Sequence, residues 1–209
     1  MLAIVSGRDT DFLARGFPEH AVMLVGNHGL EERHDGQSRL IPEAEAYVAA
    51  LARVAESAES LVGSRAPGAT VERKRATVAI HVRQTAKPTA AASRLRPTLA
   101  ELATANGLEL REGRLVFELL PPVAIDKGQV LDRLVGSSKA RAVLFAGDDT
   151  TDIDAFSALK RWRTRGLQTV AVAVRSSEAA PELFVDADLV VDGVPGVLQL
   201  LRQLAANSS

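Results

Sequence analysis

Nine consecutive residues, Leu144-Phe145-Ala146-Gly147-Asp148-Asp149-Thr150-Thr151-Asp152, constrain this chain more than any other stretch. The apolar run Ala142 to Phe145 reads as a buried parallel strand. A small residue pair then turns the chain, and three carboxylates crowd the strand's C-terminal end before an amphipathic helix begins. Carboxylates that close repel one another, and burying them uncompensated is expensive. A hard divalent cation offsets that repulsion, and the C-terminal edge of a parallel sheet is where open α/β folds bind ligands. The same letters also spell an acidic helix start, because Asp149 and Thr151 are good N-caps and Asp152 suits the helix dipole. Taken alone, the stretch supports both readings.

The bulk numbers narrow the field. A chain of 209 residues forms one large domain, or a core with a smaller insert, and either buries a substantial core. With 46% apolar and 24% charged residues it is globular rather than disordered. A formal net charge of -1 gives no global attraction for nucleic acid, so any anion site has to be built locally. Aromatic residues make up only 4%, which argues against stacking platforms for single strands. The absence of cysteine excludes disulfides and thiolate metal sites and suits a reducing cytoplasm. No apolar run reaches membrane-spanning length, and no basic-then-apolar leader follows Met1. The expectation is a soluble, cytoplasmic protein with a small-molecule substrate and neither nucleic-acid nor membrane partners.

Along the chain, Leu2 to Val5 is an apolar strand ending in Ser6-Gly7-Arg8. Asp9 caps a short helix to about Gly16, and Val22 to Val25 forms a second strand, both strands apolar on each face as a covered parallel sheet requires. After Asn27-His28-Gly29 the texture turns more polar. Pro42 opens a helix with Ala46, Val48, Leu51, Val54, Ala55 and Ala58 on its apolar side. Val71–Lys74 and Thr77–Arg83 read as an antiparallel pair. A second helix from about Thr89 to Asn106 stops at Gly107, with Pro97 as a kink, and Leu108–Leu120 reads as a hairpin turning at Glu112-Gly113. Past Pro121-Pro122 the strand-and-helix alternation returns. A helix follows Lys127-Gly128, further strands lie at Thr169–Val174 and Leu189–Val191, and a helix from Val194 to Ala205 closes the chain. The alternation predicts a doubly wound α/β sheet over 1–30 and 121–209, interrupted by an α+β insert over 31–120. Only the tail Asn207-Ser208-Ser209 reads as disordered.

Four residues would meet at one sheet edge. The Ser6 hydroxyl and the amides after it can bind a phosphate oxygen, or Ser6 is simply a turn residue. Lys127 begins a helix, where its ammonium and the dipole both favour an anion, or it is a solvated lysine. Asp148 and Asp152 supply metal-side carboxylates, or helix caps. Their joint spacing around strand ends favours the chemical reading.

On these residues the chain resembles the haloacid dehalogenase-like phosphatases and, more narrowly, the trehalose-6-phosphate phosphatase family. The matching strings are Ile4-Val5-Ser6-Gly7-Arg8, Gly26-Asn27-His28-Gly29-Leu30-Glu31, Val71-Glu72-Arg73-Lys74 with His81-Val82-Arg83, Glu118-Leu119-Leu120-Pro121, Lys127-Gly128, and Gly147-Asp148-Asp149-Thr150-Thr151-Asp152-Ile153-Asp154-Ala155-Phe156. The resemblance implies a haloacid dehalogenase-like core with a cap domain. It also implies magnesium-dependent hydrolysis of trehalose 6-phosphate to trehalose and phosphate. In that picture Ser6 binds the transferring phosphoryl group, Lys127 neutralises it, Asp148 ligates magnesium (Mg2+), and Asp152 holds the metal site. Glu72, Lys74, Arg83 and Glu118 would grip sugar hydroxyls, with Arg8, Asn27 and His28 near the substrate. A hydroxyl-rich disaccharide is well selected by charge-assisted hydrogen bonds. The departures are Ile153, where the family usually has an acidic residue, and a missing first motif.

That motif, a strand ending in Asp-x-Asp-Gly-Thr, supplies the attacking carboxylate in the family and precedes the serine motif. Only five residues precede Ser6 here. Asp152-Ile153-Asp154 and Asp186-Ala187-Asp188 mimic the motif without its Gly-Thr. The expectation is an N-terminally truncated phosphatase lacking the central strand and inactive as written, either poorly soluble with two inner sheet edges unpaired or with the two flanking strands closed together and the site distorted. The alternatives are a phosphatase for another sugar phosphate and a catalytically dead sugar-phosphate-binding protein.

Overall fold

The computed structural model describes residues 1–17, 22–177 and 179–206. The expected disordered tail at 207–209 lies outside the described residues. The chain divides into two compact units, Met1–Ala124 and Ile125–Ser209.

In the first unit, β1 (Leu2–Val5) leads into α1 (Thr10–Gly16), whose N-cap Asp9 accepts a hydrogen bond from the Phe12 amide at 2.6 Å. β2 (Val22–Gly26) pairs parallel with β1, and a short 3-10 turn follows at Asn27–Gly29. The sheet then continues through a hairpin that sequence reasoning did not anticipate. β3 (Glu31–His34) pairs antiparallel with β2, and β4 (Gln37–Leu40) pairs with β3. The signal was Asp35-Gly36, which adopts φ of 49° and 76°, the positive pair that a two-residue hairpin turn demands.

The rest of this unit is α+β. After the short α2 (Pro42–Glu45) come α3 (Val48–Arg65), β5 (Thr70–Arg73), β6 (Val78–His81), α4 (Pro88–Ala105), β7 (Glu109–Gly113) and β8 (Val116–Leu120). The single expected helix from Pro42 is thus two. Pro97 sits inside α4, and Gly107 beyond its end has φ +65°. The last hairpin turns at Arg114-Leu115, two residues later than expected, because Gly113 pairs with Val116 and Leu115 takes the left-handed φ of 62°. The sheet order is β5-β6-β8-β7. One face packs Val78, Ile80, Phe117 and Leu119 against Val54, Ala58, Leu95 and Leu99 of the helices. Each fully buried leucine there contributes about 1.5–3 kcal/mol. Because strand side chains alternate, the opposite face carries the cross-strand row Glu72, Ala79, Glu118 and Arg111.

The second unit is a parallel α/β layer. It comprises α5 (Lys127–Ser137), β9 (Ala142–Gly147), α6 (Asp152–Thr164), β10 (Gln168–Arg175), β11 (Leu189–Asp192) and α7 (Gly193–Ala206). The sheet order is β11-β10-β9, all parallel. Leu131 and Val135 of α5 and Phe156 and Leu159 of α6 pack with Ala171 and Ala173 of β10, and Phe145 meets Phe156 edge-on. Among the described residues β1 pairs only with β2 and β9 only with β10, so each strand has one unpaired edge. No helix among the described residues is long and apolar enough to cross a membrane.

Candidate active site

In the second unit the acidic turn is organised around one buried side chain. Asp152, 3% exposed, is the first residue of α6. Its Oδ2 accepts the backbone N–H groups of Asp148 at 3.0 Å and Asp149 at 2.9 Å, and its Oδ1 accepts Lys127 Nζ at 2.5 Å. Of the helix-start reading, Thr151 occupies the N-cap position without a side-chain cap bond, while Asp152 does stand in the first turn of α6, where the helix dipole favours it. From there Asp152 reaches back over the strand end and ties the turn to itself. Two glycines make this possible. A Cβ at Gly147 would come 2.3 Å from Asp152 Cγ, and one at Gly128 would come 2.5 Å from the Asp154 carbonyl oxygen. Lys127 is presented at the first position of α5, which Asp126 and Gln129 fix through a reciprocal capping box.

Asp148 and Asp149 remain exposed at the strand end. An exposed carboxylate is a hard oxygen donor suited to a magnesium ion, which keeps several waters and takes few protein ligands. Asp148, the expected ligand, and Asp149 beside it both meet that requirement. Both Asp152 oxygens are engaged, Oδ1 by Lys127 and Oδ2 by the two strand-end amides. Burial, and beside it the Asp126 carboxylate, raise the Asp154 carboxyl above its ordinary range against the opposing pull of Lys127.

The mimics of the missing motif have structural partners. Asp186 pairs with Lys160 at 2.5 Å. Asp188 accepts from Arg163 at 2.5 Å and from the Ala171 amide at 2.8 Å, contacts that hold its carboxyl below its ordinary range.

The remaining candidates lie in the first unit. Ser6 follows β1, its amide bonded to the Val25 carbonyl at 2.9 Å, and its hydroxyl accepts the Arg8 amide at 3.2 Å. Arg8 is exposed, its guanidinium stacked over Phe12 at 4.9 Å. The Asn27–Gly29 turn interlocks with this one. The Asn27 amide donates to the Arg8 carbonyl at 2.8 Å and the His28 amide to the Ser6 carbonyl at 3.2 Å. A Cβ at Gly7 would approach the His28 ring to 2.6 Å, so the serine turn and the histidine require a glycine between them.

On the open face of the β5-β6-β8-β7 sheet, Glu118 Oε1 accepts Lys74 Nζ at 3.1 Å and Thr77 Oγ1 at 3.0 Å. Burial pushes the Glu118 carboxyl up, but the charge and hydrogen bond of Lys74, the Thr77 hydroxyl and the His28 imidazole outweigh it and leave the group below its ordinary range. Glu72 meets His81 Nε2 at 2.9 Å across β5 and β6. Arg83 is exposed just past β6. The structure thus brings Lys74 to Glu118 and the Asn27–His28 turn to Ser6. Sequence reasoning missed Thr77, His81, Glu31 and Arg75 as members of these networks. The signal available was Glu31 itself, an acidic residue directly after the apolar Leu30 at the end of the Gly26–Glu31 string.

Comparison with known proteins places these features in a family. The trehalose-phosphatase family model matches residues 1–189. The chain is 33% identical over 218 residues to the trehalose-phosphate phosphatase of Mycobacterium leprae (strain TN), covering 98% of this chain and 49% of that protein. It is also 33% identical over 187 residues to an uncharacterized glycosyl hydrolase of Mycobacterium tuberculosis (strain ATCC 25618 / H37Rv), covering 85% of this chain and 13% of that protein. The chain therefore spans about half the length, or less, of these curated relatives. Among solved structures, the trehalose-6-phosphate phosphatase of Aspergillus fumigatus (crystal form 3) is 27% identical with a TM-score of 0.58, covering 100% of this chain and 78% of that one. A trehalose-6-phosphate phosphatase related protein superposes with a TM-score of 0.75 at 24% identity, covering 99% and 82%. A haloacid dehalogenase-like hydrolase from Bacteroides thetaiotaomicron has a TM-score of 0.60 at 16% identity, covering 97% and 86%, a likeness of fold.

Proposed function

Because the chain belongs to the trehalose-phosphatase family, we propose that it carries the substrate-binding and charge-neutralising parts of a phosphatase that converts trehalose 6-phosphate to trehalose and phosphate. The observation that carries this reading is the buried Asp152 carboxylate, which fixes the Lys127 ammonium and two strand-end amides beside the exposed Asp148. Lys127 meets the negative charge of the phosphoryl group, and positioned cations of this kind supply most of the catalysis in phosphoryl transfer. Ser6 donates its hydroxyl to a phosphoryl oxygen. Asp148 would hold magnesium, which supplies further neutralisation of those oxygens when bound. Glu72, Lys74, Arg83 and Glu118, with Arg8, Asn27 and His28, receive the disaccharide. Residues 1–30 and 121–209 form the phosphatase core in this reading, and 31–120 its cap. A chain without cysteine suits the cytoplasm.

The attacking carboxylate is not among these 209 residues in the family's form, and this reading assigns it to a further segment. Among the described residues β1 keeps one unpaired edge in its own sheet and β9 one in its own, and an unpaired edge can accept a further strand. Phosphate release in magnesium buffer tests the proposal. The 209-residue chain should release none from trehalose 6-phosphate, and a longer polypeptide carrying an Asp-x-Asp-Gly-Thr strand should release it. Release from other sugar phosphates at equal efficiency would replace the substrate. Tight binding of trehalose 6-phosphate with no release by the longer polypeptide would favour a binding protein, the reading that the absent motif itself supports.

A further inference from the structure

Glu31 takes no part in the roles assigned above, yet it is 1% exposed at the head of β3. A buried carboxylate is costly unless its lone pairs are answered. Here three donors answer them from three places in the first unit. Oε2 accepts Asn27 Nδ2 at 2.8 Å and the Thr10 amide at 3.2 Å, while Oε1 accepts Nε of Arg75 at 2.8 Å.

On one side Glu31 braces a strained turn. Asn27, His28 and Gly29 are left-handed in succession, with φ of 48°, 58° and 103°. Non-glycine residues persist there only where their surroundings over-determine them. The Asn27 side chain is fully buried and its Oδ1 has no hydrogen-bond partner among the described residues, so its hold there runs through Glu31. This turn lays the His28 ring on Gly7 and bonds the His28 amide to Ser6. On the other side Arg75 sits in the turn between β5 and β6, next to Lys74 and two residues before Thr77, both of which donate to Glu118.

We infer that Glu31 and Arg75 form a positioning pair that fixes the spacing between the serine turn and the Glu118 cluster. Through it the protein selects a sugar phosphate by the distance between its phosphate and its far ring. The inference rests on the trehalose 6-phosphate reading for its ligand. Neither residue touches substrate; each acts through its neighbours, Glu31 through Asn27 and His28, Arg75 through Lys74 and Thr77. Phosphate and trehalose offered separately need no fixed spacing, whereas the joined ligand gains from having both subsites pre-set.

Calorimetry on the 209-residue chain with inorganic phosphate, trehalose and trehalose 6-phosphate tests this. Arg75→Ala should weaken trehalose 6-phosphate by at least about tenfold while phosphate and trehalose alone shift by less than about twofold. Arg75→Lys should recover part of the loss. Arg75 also lies 4.0 Å from Asp11, so Asp11→Asn serves as the control and should leave all three affinities unchanged. Glu31→Gln should follow Arg75→Ala, and Arg75, 45% exposed, is the safer site if the buried variant fails to fold. Equal weakening of all three ligands, or an unchanged affinity for the joined one, would overturn the inference.

Amide hydrogen exchange gives a readout that needs no ligand. In Arg75→Ala the His28 amide, bonded to Ser6, and the Lys74 amide, bonded to the Thr77 carbonyl at 3.0 Å, should both exchange about tenfold faster, with Leu95 in α4 unaffected. If the wild-type chain binds none of the three ligands, the substrate reading falls, and exchange alone then decides the pair. Joint acceleration supports it, and unchanged rates at His28 and Lys74 refute it.

Discussion

Replacing Asp152 by asparagine tests the electrostatic centre of the second unit most directly. The amide keeps the shape of the carboxyl, so its oxygen can still accept the amides of Asp148 and Asp149, now bonded at 3.0 and 2.9 Å. The other position becomes an N–H donor facing Lys127 Nζ, where a carboxylate oxygen now accepts at 2.5 Å. The Lys127 side chain is only 15% exposed and that of Asp152 only 5%, so water restores little of what is lost. Removing one member of a buried pair costs about 3–5 kcal/mol. The retained backbone bonds and the residual exposure of Lys127 place this case near 3 kcal/mol by the same reasoning. For a unit of this size that is a fall in Tm of about 12–24 °C. Trp162, the only tryptophan in the chain, lies in α6 and bonds Asp132 at 2.8 Å, so its fluorescence follows this unit during urea or thermal unfolding. A double-mutant cycle with Lys127→Met isolates the pair, and its coupling should exceed about 1.5 kcal/mol. A shift below about 0.5 kcal/mol for Asp152→Asn, the range of ordinary surface substitutions, would refute the view that this ion pair organises the strand end.

Other outcomes follow from the same geometry. Gly128→Ala, whose Cβ would meet backbone rather than a yielding side chain, should cost about 1–3 kcal/mol by forcing α5 from α6, and Gly147→Ala should displace Asp152 and match the loss seen for Asp152→Asn; wild-type unfolding midpoints in either would contradict the packing described. The folded Glu118 carboxyl lies below its ordinary 4.5. As pH falls the unfolded chain therefore takes up that proton first, and the stabilisation, complete above the ordinary value, is lost as pH passes through the lowered one. Urea midpoints by circular dichroism between about pH 6 and pH 3 should accordingly fall less steeply in Glu118→Gln than in wild type, and parallel curves would remove Lys74–Glu118 from the acid response. Magnesium titration followed by amide NMR should shift Asp148 and Asp149, and Asp148→Asn should abolish the shifts while Asp149→Asn weakens them less; equal shifts in Asp148→Asn would exclude Asp148 as the ligand.

Local chemistry announced much of this fold. Asp9 before an apolar repeat, Pro42 opening a helix, Gly107 closing another and the apolar runs at Ala142 and Thr169 each prefer one backbone state, and each element formed there. The β3–β4 hairpin escaped because its strands, Glu31–His34 and Gln37–Leu40, carry few apolar residues. Its Asp35-Gly36 turn was the legible clue. The turn at Arg114-Leu115 was misplaced because a glycine two residues earlier is the more usual left-handed residue, whereas pairing of Gly113 with Val116 put the strain on Leu115.

Among the site residues, composition marked Lys127, Asp148 and Asp152 as charges gathered near strand ends. It could not say that Asp152 engages Lys127 and the turn with its two oxygens while Asp148 and Asp149 stay exposed, because that depends on how closely α5 and β9 approach α6. Sequence by itself fixed the kinds of groups available, the order of elements and the family. Tertiary structure alone decided which carboxylates are buried and which face solvent, and it made Glu31 and Arg75 partners across 44 residues. The physical reason is that a buried charge persists only where distant segments converge to answer it, and no local run of residues encodes that convergence.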